Sequence, residues 1–397
     1  MTTVPPLSRK ARPHVALLVE TSLASGRDIL RGIARYVREQ GPWSIYHEPR
    51  SLEQGVPRWL KHWPGDGIIA RIQNQAIAAA VAAAGIPTVD VLGVVENTRF
   101  PLVHVDDDAI GQLGAEHLRE HGFQHFGFFG IERENWSARR RDAFLRQAAD
   151  WQCRAAVLEA PRRTAVSGSW ERFEDELAAW AAGLPKPAGV MIASDQLGPY
   201  LLEACRRAGL HVPEDVGVVG VDDDEALCLV SDPPLTSIRP NHIRVGYEAA
   251  CLLHHLLCGG EPPGQPLLLP PGDVVPRLST DTLAVADRVV AAAVRFIREH
   301  ACDGITVEDV VQHVPVCRSI LQRRFQSALN RTVHDEVLRV RLNRAKELLR
   351  ETDLPLPLIA EKAGFRHQEY MGAVFKANLG VTPAHFRRTT RQWRLNC

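Results

Sequence analysis

The sequence predicts two folds in series: a two-lobed α/β domain of doubly wound parallel sheets, then an all-α domain built on two helix-break-helix units. Three observations predict it. Continuous apolar runs alternate with amphipathic helical patterns from His14 to about Ser279. No strand-like run occurs from Asp287 to Cys397. Charge divides at the same place: from Leu283 onward 19 Lys+Arg face 12 Asp+Glu, a net of +7, which leaves a net of −7 in the first 282 residues. The composition, 45% hydrophobic and 24% charged over 397 residues, is that of a globular chain of two or three domains.

The first domain is expected over 14–279. "HVALLVE", "DGIIARI", "IPTVDV", "HFGFFGI", "AAVLEA", "GVMIAS" and "VGVVGVDD" read as buried strands. Between them "GRDILRGIARYVREQ", "NQAIAAAVAAAG", "AIGQLGAEHLREHG", "RRRDAFLRQAADW" and "DQLGPYLLEACRRAGL" have helical spacing and end near glycine. Apolar strands alternating with helices imply parallel sheets covered on both faces. The length suits two lobes, with "LVHVDDD" and "PPLTSIRPN" as crossings between them. A linker is expected over 280–286, and the helical domain over 287–390.

Within the helical domain, "IAEKAGFRHQEYMGAVFK" stops a helix at Gly364 and restarts it from about His367 to Ala377. Glycine takes the left-handed conformation that ends a helix at little cost. At about 100° per residue, Tyr370, Met371, Val374 and Phe375 share one side, with Glu369, Gly372, Ala373 and Lys376 on the other. Two short helices crossing steeply, the second free to enter a groove, make the DNA-binding helix-turn-helix. Gln368 and Glu369 would lie nearest base edges, and Gly372 with Ala373 would permit close backbone approach. An earlier copy, "TVEDVVQHVPVCRSILQRRFQ", repeats the pattern at an offset of 50 residues, Phe325 to Phe375. There Arg318, Ser319, Gln322 and Arg323 face outward, and an arginine so placed can read guanine. Such a pair is worth about 1–3 kcal/mol of discrimination. Arg324, Arg331, Lys376, Arg387 and Arg388 are expected against phosphates. "HDEVLRVRLNRAKELLR" joins the heads as one helix of some 15 residues, a little over ~20 Å long. Heads so held can enter successive major grooves.

"RLNRAKELLRETDL", "IAEKAGF", "FKANLGVTPAHFRR" and "ILQRRF" resemble the arabinose-regulator (AraC) family over about Asp287 to Arg388. Two departures are Pro315, where that family usually has glycine, and Met371-Gly372, where it has an aromatic and a polar residue. Pro355 and Pro357 stand at the entry of the second head, where proline is tolerated only in the first helical turn.

In the first domain, Asp195 follows "GVMIAS" and Asp222 follows "VGVVGV". Ligands of parallel sheets bind beyond the carboxyl ends of the strands. Both carboxylates can accept from ligand hydroxyls, Arg140 can donate to ring or hydroxyl oxygens, and Trp136 can wall a sugar face. A helix N-cap is the alternative role for each aspartate, and Asp195 can fill both. "IASDQLGPYLLEACRRAGLHVPEDVGVVGVDDDEALCLVSDPPLTSI" resembles the sugar-binding core of the lactose- and galactose-repressor group, itself similar to periplasmic binding proteins. By that resemblance Asp195, Asp222 and Arg140 are ligand contacts, and the turn from Glu20 to Asp28 also lines the cleft. The combined architecture resembles the activators of xylose operons. That resemblance implies a cytoplasmic, sugar-responsive activator whose effector is xylose or a related pentose. Its partners would be double-stranded promoter DNA and RNA polymerase, and it would act as a homodimer without a cofactor.

Other chemistry has less to stand on. The sequence has no G-x-S-x-G, P-loop or G-x-G-x-x-G. His117, His121 and His125 could ligate a metal, but "EHLREHG" reads better as a solvated face. The two "VDDD" runs, Val105 to Asp108 and Val221 to Asp224, offer carboxylates to a sugar-processing enzyme with a helical accessory domain. That alternative leaves the basic tail unexplained. A sugar-phosphate ligand would want a further cationic cluster, for which Arg139 to Arg141 are candidates. Eight scattered cysteines without a C-x-x-C pair fit a reducing compartment. "MTTVPPLSRKARP" carries no apolar signal-peptide core, and no run approaches membrane-helix length.

Overall fold

A computed structural model of the chain describes residues 12–51, 54–95, 99–161, 169–281, 287–329, 331–352 and 354–388. Residues 282–286 of the expected linker and 389–390 of the expected helical domain lie outside them. The chain separates into two compact units, Met1–Ala284 and Val285–Cys397.

The first unit contains β1 (His14–Leu18), α1 (Ala24–Gln40), β2 (Ser44–His47), β3 (Gly67–Ala70), α2 (Gln75–Ala84), β4 (Thr88–Asp90), β5 (Val103–Val105), α3 (Asp107–Glu120) and β6 (His125–Ile131). It continues with α4 (Asn135–Asp150), β7 (Ala155–Ala160), α5 (Ser169–Gly183), β8 (Ala188–Ile192), α6 (Gly198–Arg207), β9 (Val216–Val221), α7 (Glu225–Val230), β10 (Thr236–Ile238), α8 (His242–Leu257), β11 (Leu267–Leu269) and β12 (Val274–Val275). One lobe is the parallel sheet β2-β1-β3-β4, which a bridge from Asp90 to Leu102 continues toward the parallel pair β5 and β11. The other is β12-β10-β9-β8-β6-β7, parallel except for β12. The chain passes between lobes three times: from β5 into α3, from β10 into α8 and from β11 into β12. β3, β8 and β9 are buried at every residue, which is why they read as continuous apolar runs.

The structure adds elements to the sequence reading. β5 and β10 lie inside the two segments read as crossings, and α5, α7, α8, β2, β11 and β12 are additions to the sequence reading. Strands of two or three residues are too short to show a period. β2 is an exposed edge with no alternation. Thr280, which the sequence assigns to the linker, is fully buried in the first unit.

The second unit holds α9 (Arg288–His300), α10 (Val307–His313), α11 (Arg318–Leu329), α12 (Val333–Glu351), α13 (Leu356–Lys362) and α14 (Gln368–Leu379), with a further short helix over 383–388. Asp287 caps α9 by accepting from the N–H groups of Val289 and Val290. Capping boxes start α10 (Thr306 and Asp309) and α12 (Thr332 and Asp335). Pro355 immediately precedes α13 and Pro357 sits in its first turn, where no helical N–H is lost. The 50-residue repeat is a packing repeat: Leu321 and Phe325 in α11, and Met371 and Phe375 in α14, are all fully buried. α12 has 19 residues, roughly 28 Å at 1.5 Å per residue, longer than the sequence indicates.

Gly364 turns α13 into α14 at φ 77°. A Cβ there would lie 2.5 Å from the Ala301 carbonyl oxygen, so only glycine lets this turn meet the chain after α9. Tyr370 departs from its expected side. It is 44% exposed and only edges Phe365, while Met371 and Phe375 fill the core. Its place in the first turn of α14 carries it past the rim of that core.

Candidate functional site

The carboxyl ends of β8 and β9 form one wall of the interlobe cleft. Asp222 follows β9 in a left-handed conformation, φ 106°. Its carboxylate accepts from Ser194 Oγ at 2.8 Å, and His242 Nε2 stands 3.5 Å away. The Asp222 side chain remains 19% accessible, whereas Asp195 is 1% exposed. Asp195 is turned into the protein. It accepts from Ser237 Oγ at 2.7 and 2.9 Å, from the Asp224 N–H at 2.9 Å and from the Cys228 thiol at 3.4 Å. Its carboxylate lies over Gly220, where a Cβ would come within 2.1 Å of Oδ1. The expectation that Asp195 contacts ligand therefore needs correction: its acceptors are spent on the turn that carries Asp222. Neither aspartate receives a hydrogen bond from its own following helix.

Arg140 is buried, donates Nε–H to Asp107 at 2.9 Å and NH1 to the Ala193 carbonyl at 2.6 Å, and lies 5.0 Å over the Trp136 ring. Trp136 donates its indole N–H to Glu134. Arg139 donates twice to the other Asp107 oxygen, and Arg141 pairs with Asp142 and Glu159. Asp222, Arg140 and Trp136 are thus brought together, and Asp195 stands behind them.

The opposite wall was only partly foreseen. Glu20, after β1, forms a buried ion pair with Arg71, after β3, and Arg71 also donates to Ser25 Oγ at 3.1 Å. Glu20 and Ser25 belong to the turn read as cleft lining. Arg71, Gln73, His104, Asp107, Asn135, Ser194 and His242 were missed. Glu20 and Arg71 follow strands as Asp195 and Asp222 do, so the strand-end rule applied to every strand would have found them. His104 and His242 sit on crossings and gave no signal. Several buried polar atoms here have no protein partner: Glu20 Oε2, Arg71 Nε, Gln73 Oε1, Asn135 Oδ1 and the Nδ1 atoms of His104 and His242, whose Nε2 atoms face Asp107 and Asp222. Buried polar groups are normally paired, so such a cluster marks a place for a polar guest. The walls also touch directly. Asn135 Nδ2 donates to the Gly93 and Val94 carbonyls at 2.8 and 3.0 Å, and Arg27 lies 3.8 Å from Asp224.

Charge states follow from the neighbours. Burial alone would raise Asp107, but Arg140, His104 and Arg139 outweigh it and hold its carboxyl far below the usual range. Burial also works on Asp222, and there His242 and Arg140 prevail and lower it. Burial, then the neighbouring Asp222 charge, pushes Asp195 well above the carboxylate range, against its three donors. Burial lowers His242 despite Asp222, with Arg71 adding to the effect.

His117 is not on a solvated face. It is buried, its Nε2 lies 2.9 Å from Thr280 Oγ1, and its ring is tilted by 43° against that of His121, 4.1 Å between centroids. Burial and His121 push it down to about 3. Among the described residues no group of three or more His, Cys, Asp or Glu is placed to hold a metal ion.

In the second unit Arg318, Ser319, Gln322 and Arg323 are all exposed on α11, within its first two turns. Arg318 forms an ion pair with Glu308 of α10. On α14, Glu369 and Lys376 are exposed, while Gln368 and Gly372 are half-buried. Of the arginines expected at phosphates, Arg324 pairs with Asp287, Arg331 with Glu336, and Arg387 donates to the Leu354 carbonyl. These three have partners within the unit, which their sequence positions did not disclose. Lys376 and Arg388 are exposed.

Comparison with known proteins agrees with both halves of this description. Residues 14–107 match the XylR N-terminal domain, 115–280 a periplasmic binding protein-like domain and 311–389 a helix-turn-helix domain. The xylose operon regulatory protein of Haemophilus influenzae is 31% identical over 391 residues, covering 96% of this chain and 98% of the relative. The chain belongs to the family of xylose operon regulatory proteins. The Escherichia coli (strain K12) protein of that name is 32% identical over 384 residues, covering 95% of this chain and 97% of its own. A solved structure of the xylose-binding transcription activator xylR matches with a TM-score of 0.80 at 30% identity, over 96% of this chain and 98% of that one. As a member of this family the protein is a sugar-responsive, DNA-binding transcription regulator, and the enzyme alternative is set aside.

Proposed function

We propose that the interlobe cleft binds D-xylose, or a closely related neutral pentose, and that occupancy controls promoter binding by α11 and α14. One observation carries the choice of a neutral ligand. The four arginines at the cleft are already matched by four carboxylates: Arg71 by Glu20, Arg27 by Asp224, and Arg139 and Arg140 by the Asp107 they share, together with Asp222, which Arg140 helps to keep ionised. A phosphate would have to break one of these pairs. A polyol needs only hydrogen bonds, and the unpaired atoms on Glu20, Gln73, Asn135 and His242 offer donors and acceptors for them. Asp222 accepts from ligand hydroxyls, Arg140 donates and Trp136 covers an apolar sugar face. Arg318, Ser319, Gln322 and Arg323 read bases, Gln368, Glu369 and Gly372 engage the second groove, and Lys376 meets phosphate.

On this reading the protein is a cytoplasmic homodimer that activates a xylose-utilisation operon by recruiting RNA polymerase. The family relationship supports that direction. No helix among the described residues is long and apolar enough to cross a membrane. Ligand drives the switch only through its preference for the closed cleft, typically about 1–3 kcal/mol. The test is calorimetry on the full chain with D-xylose, L-arabinose, D-ribose, D-glucose and xylose 5-phosphate. D-xylose is expected to bind most tightly, with binding lost in Asp222→Ala. A preference for the phosphate would overturn the reading, as would turnover of any sugar. Arg323→Ala is expected to weaken promoter-fragment binding by about 1–3 kcal/mol and to relax specificity at one base pair.

A further inference from the structure

The tripeptide Asp222-Asp223-Asp224 sends its carboxylates in three directions. Asp222 faces the cleft, and Asp224 faces Arg27 of the other lobe. Asp223 points away from both. It is buried between two arginines, accepting from Arg239 Nε and NH2 at 2.8 and 2.6 Å and from Arg277 NH2 at 2.7 Å. Asp222 and Asp223 both have positive φ, 106° and 46°, a region that non-glycine residues seldom occupy. The turn is held there by its own amides. The N–H groups of Asp222, Asp223 and Asp224 donate to the Ile238 carbonyl, Ser237 Oγ and Asp195 Oδ2. The three aspartates therefore move as one body.

Arg277 belongs to the segment by which the chain leaves the first unit. Its NH1 donates to the Leu235 carbonyl and its backbone N–H to Thr236 Oγ1 at 2.8 Å. A chain of hydrogen bonds runs on from there. Thr236 Oγ1 donates to the Arg277 carbonyl at 3.0 Å, and Thr280 Oγ1 donates to Thr236 Oγ1 at 2.9 Å. His117 Nε2 completes the chain at 2.9 Å from Thr280, which makes it the donor tautomer. Ser279 Oγ donates to the Val218 carbonyl of β9 and accepts from the Thr236 N–H. Thr236, Ser279 and Thr280 are fully buried. Beyond Asp281 the chain continues toward α9.

We propose that the Asp223–Arg277 pair is the positioning link that carries cleft closure to the DNA-binding unit. Closure draws Asp222 toward ligand and Asp224 toward Arg27. Asp223 is displaced with them, Arg277 follows, and residues 277–280 shift against β10 and α3. Neither Asp223 nor Arg277 touches the cleft, so sugar binding survives loss of the pair while the response does not. This inference rests on the proposed control of DNA binding by sugar.

Three full-length proteins test it: wild type, Arg277→Gln and Asp223→Asn, with D-xylose affinity by calorimetry and promoter-fragment affinity by anisotropy with and without D-xylose. Both variants are expected to bind D-xylose within about threefold of wild type. A sugar-induced change in DNA affinity of fivefold or more in wild type should fall below twofold. Arg277→Lys, which keeps one charged donor, should recover part of it. A wild-type response in both variants overturns the link. If wild type itself shows no xylose response, the proposed function fails, and hydrogen exchange without ligand still decides the link. The Arg277 and Ser279 amides should then exchange at least tenfold faster in Asp223→Asn, and unchanged rates overturn it. Should Arg277→Gln not fold, the same two measurements on Asp223→Asn decide.

Discussion

Val105 to Asp108 and Val221 to Asp224 spell the same four residues, and the chain folds them in opposite senses. Each opens on the buried valine that ends a parallel strand. The first runs directly into a helix. Asp106 caps it by accepting from the Ala109 N–H at 3.0 Å, Asp107 turns inward to Arg139 and Arg140, and exposed Asp108 meets Arg146 at 3.2 Å. The second stays out of helix for three residues and uses positive φ twice. Local propensity is identical, so the surroundings decide. Ala109 and Ile110 extend an apolar helical face after the first copy. After the second, the Ile238 carbonyl, Ser237 Oγ and the Asp195 carboxylate take up the three aspartate amides and hold the chain out of helix. A carboxylate's worth depends on what encloses it, and the six aspartates span that range.

The largest effect is expected at Asp107. Asp107→Asn leaves two arginines without a counter-charge, one of them buried, and should cost about 3–5 kcal/mol in urea unfolding. A loss under about 1 kcal/mol would show that the pair is not what holds this wall. Next is Asp222, where Asp222→Asn should weaken sugar binding by about 1.5–3 kcal/mol, the worth of a charged hydrogen bond, with a smaller change in stability. Asp106→Ala removes a helix cap and should cost about 1 kcal/mol. Asp108→Asn and Asp224→Asn alter partly exposed pairs and should each cost under ~1 kcal/mol of stability.

Acid sharpens the same contrast. Asp107 and Asp222 are depressed, so their stabilisation is present above about pH 4, the unfolded carboxyl range, and is lost as pH falls below it. Asp195 is raised, so its contribution has the opposite sign and weakens as pH climbs above about 4. Neutral His117, held down at about 3, stabilises fully above the unfolded histidine pKa of about 6.5 and loses this as pH falls. The His117 share of stability should therefore fall between about pH 6.5 and 4.5, and His117→Gln should remove that share from the pH dependence of melting.

How much of this was legible follows from what each feature writes into the sequence. Buried strands such as β3, β8 and β9 are continuous apolar words, and the paired helical heads repeat Leu321 and Phe325 as Met371 and Phe375. Both could be read directly. Asp222 is legible because it follows a strand, and Arg140 because it lies early in the helix that follows β6, in the second turn of α4. The direction a carboxylate takes is not written locally, so Asp195 was assigned to the cleft although Ser237, Asp224 and Cys228 claim it. Arg324 and Arg331 look like any surface arginine until Asp287 and Glu336 are seen beside them. His242 required the lobes to be assembled before it had neighbours.

The missing side chain at Gly364 has a consequence for the operator. Because the turn between α13 and α14 abuts Ala301 and Cys302, the two heads form a caliper with a fixed opening. One base pair inserted between their half-elements shifts the far element by about 3.4 Å along the axis. It also rotates that element by roughly 35° around the duplex. A caliper cannot follow both displacements, so spacer length should be constrained as tightly as the bases themselves.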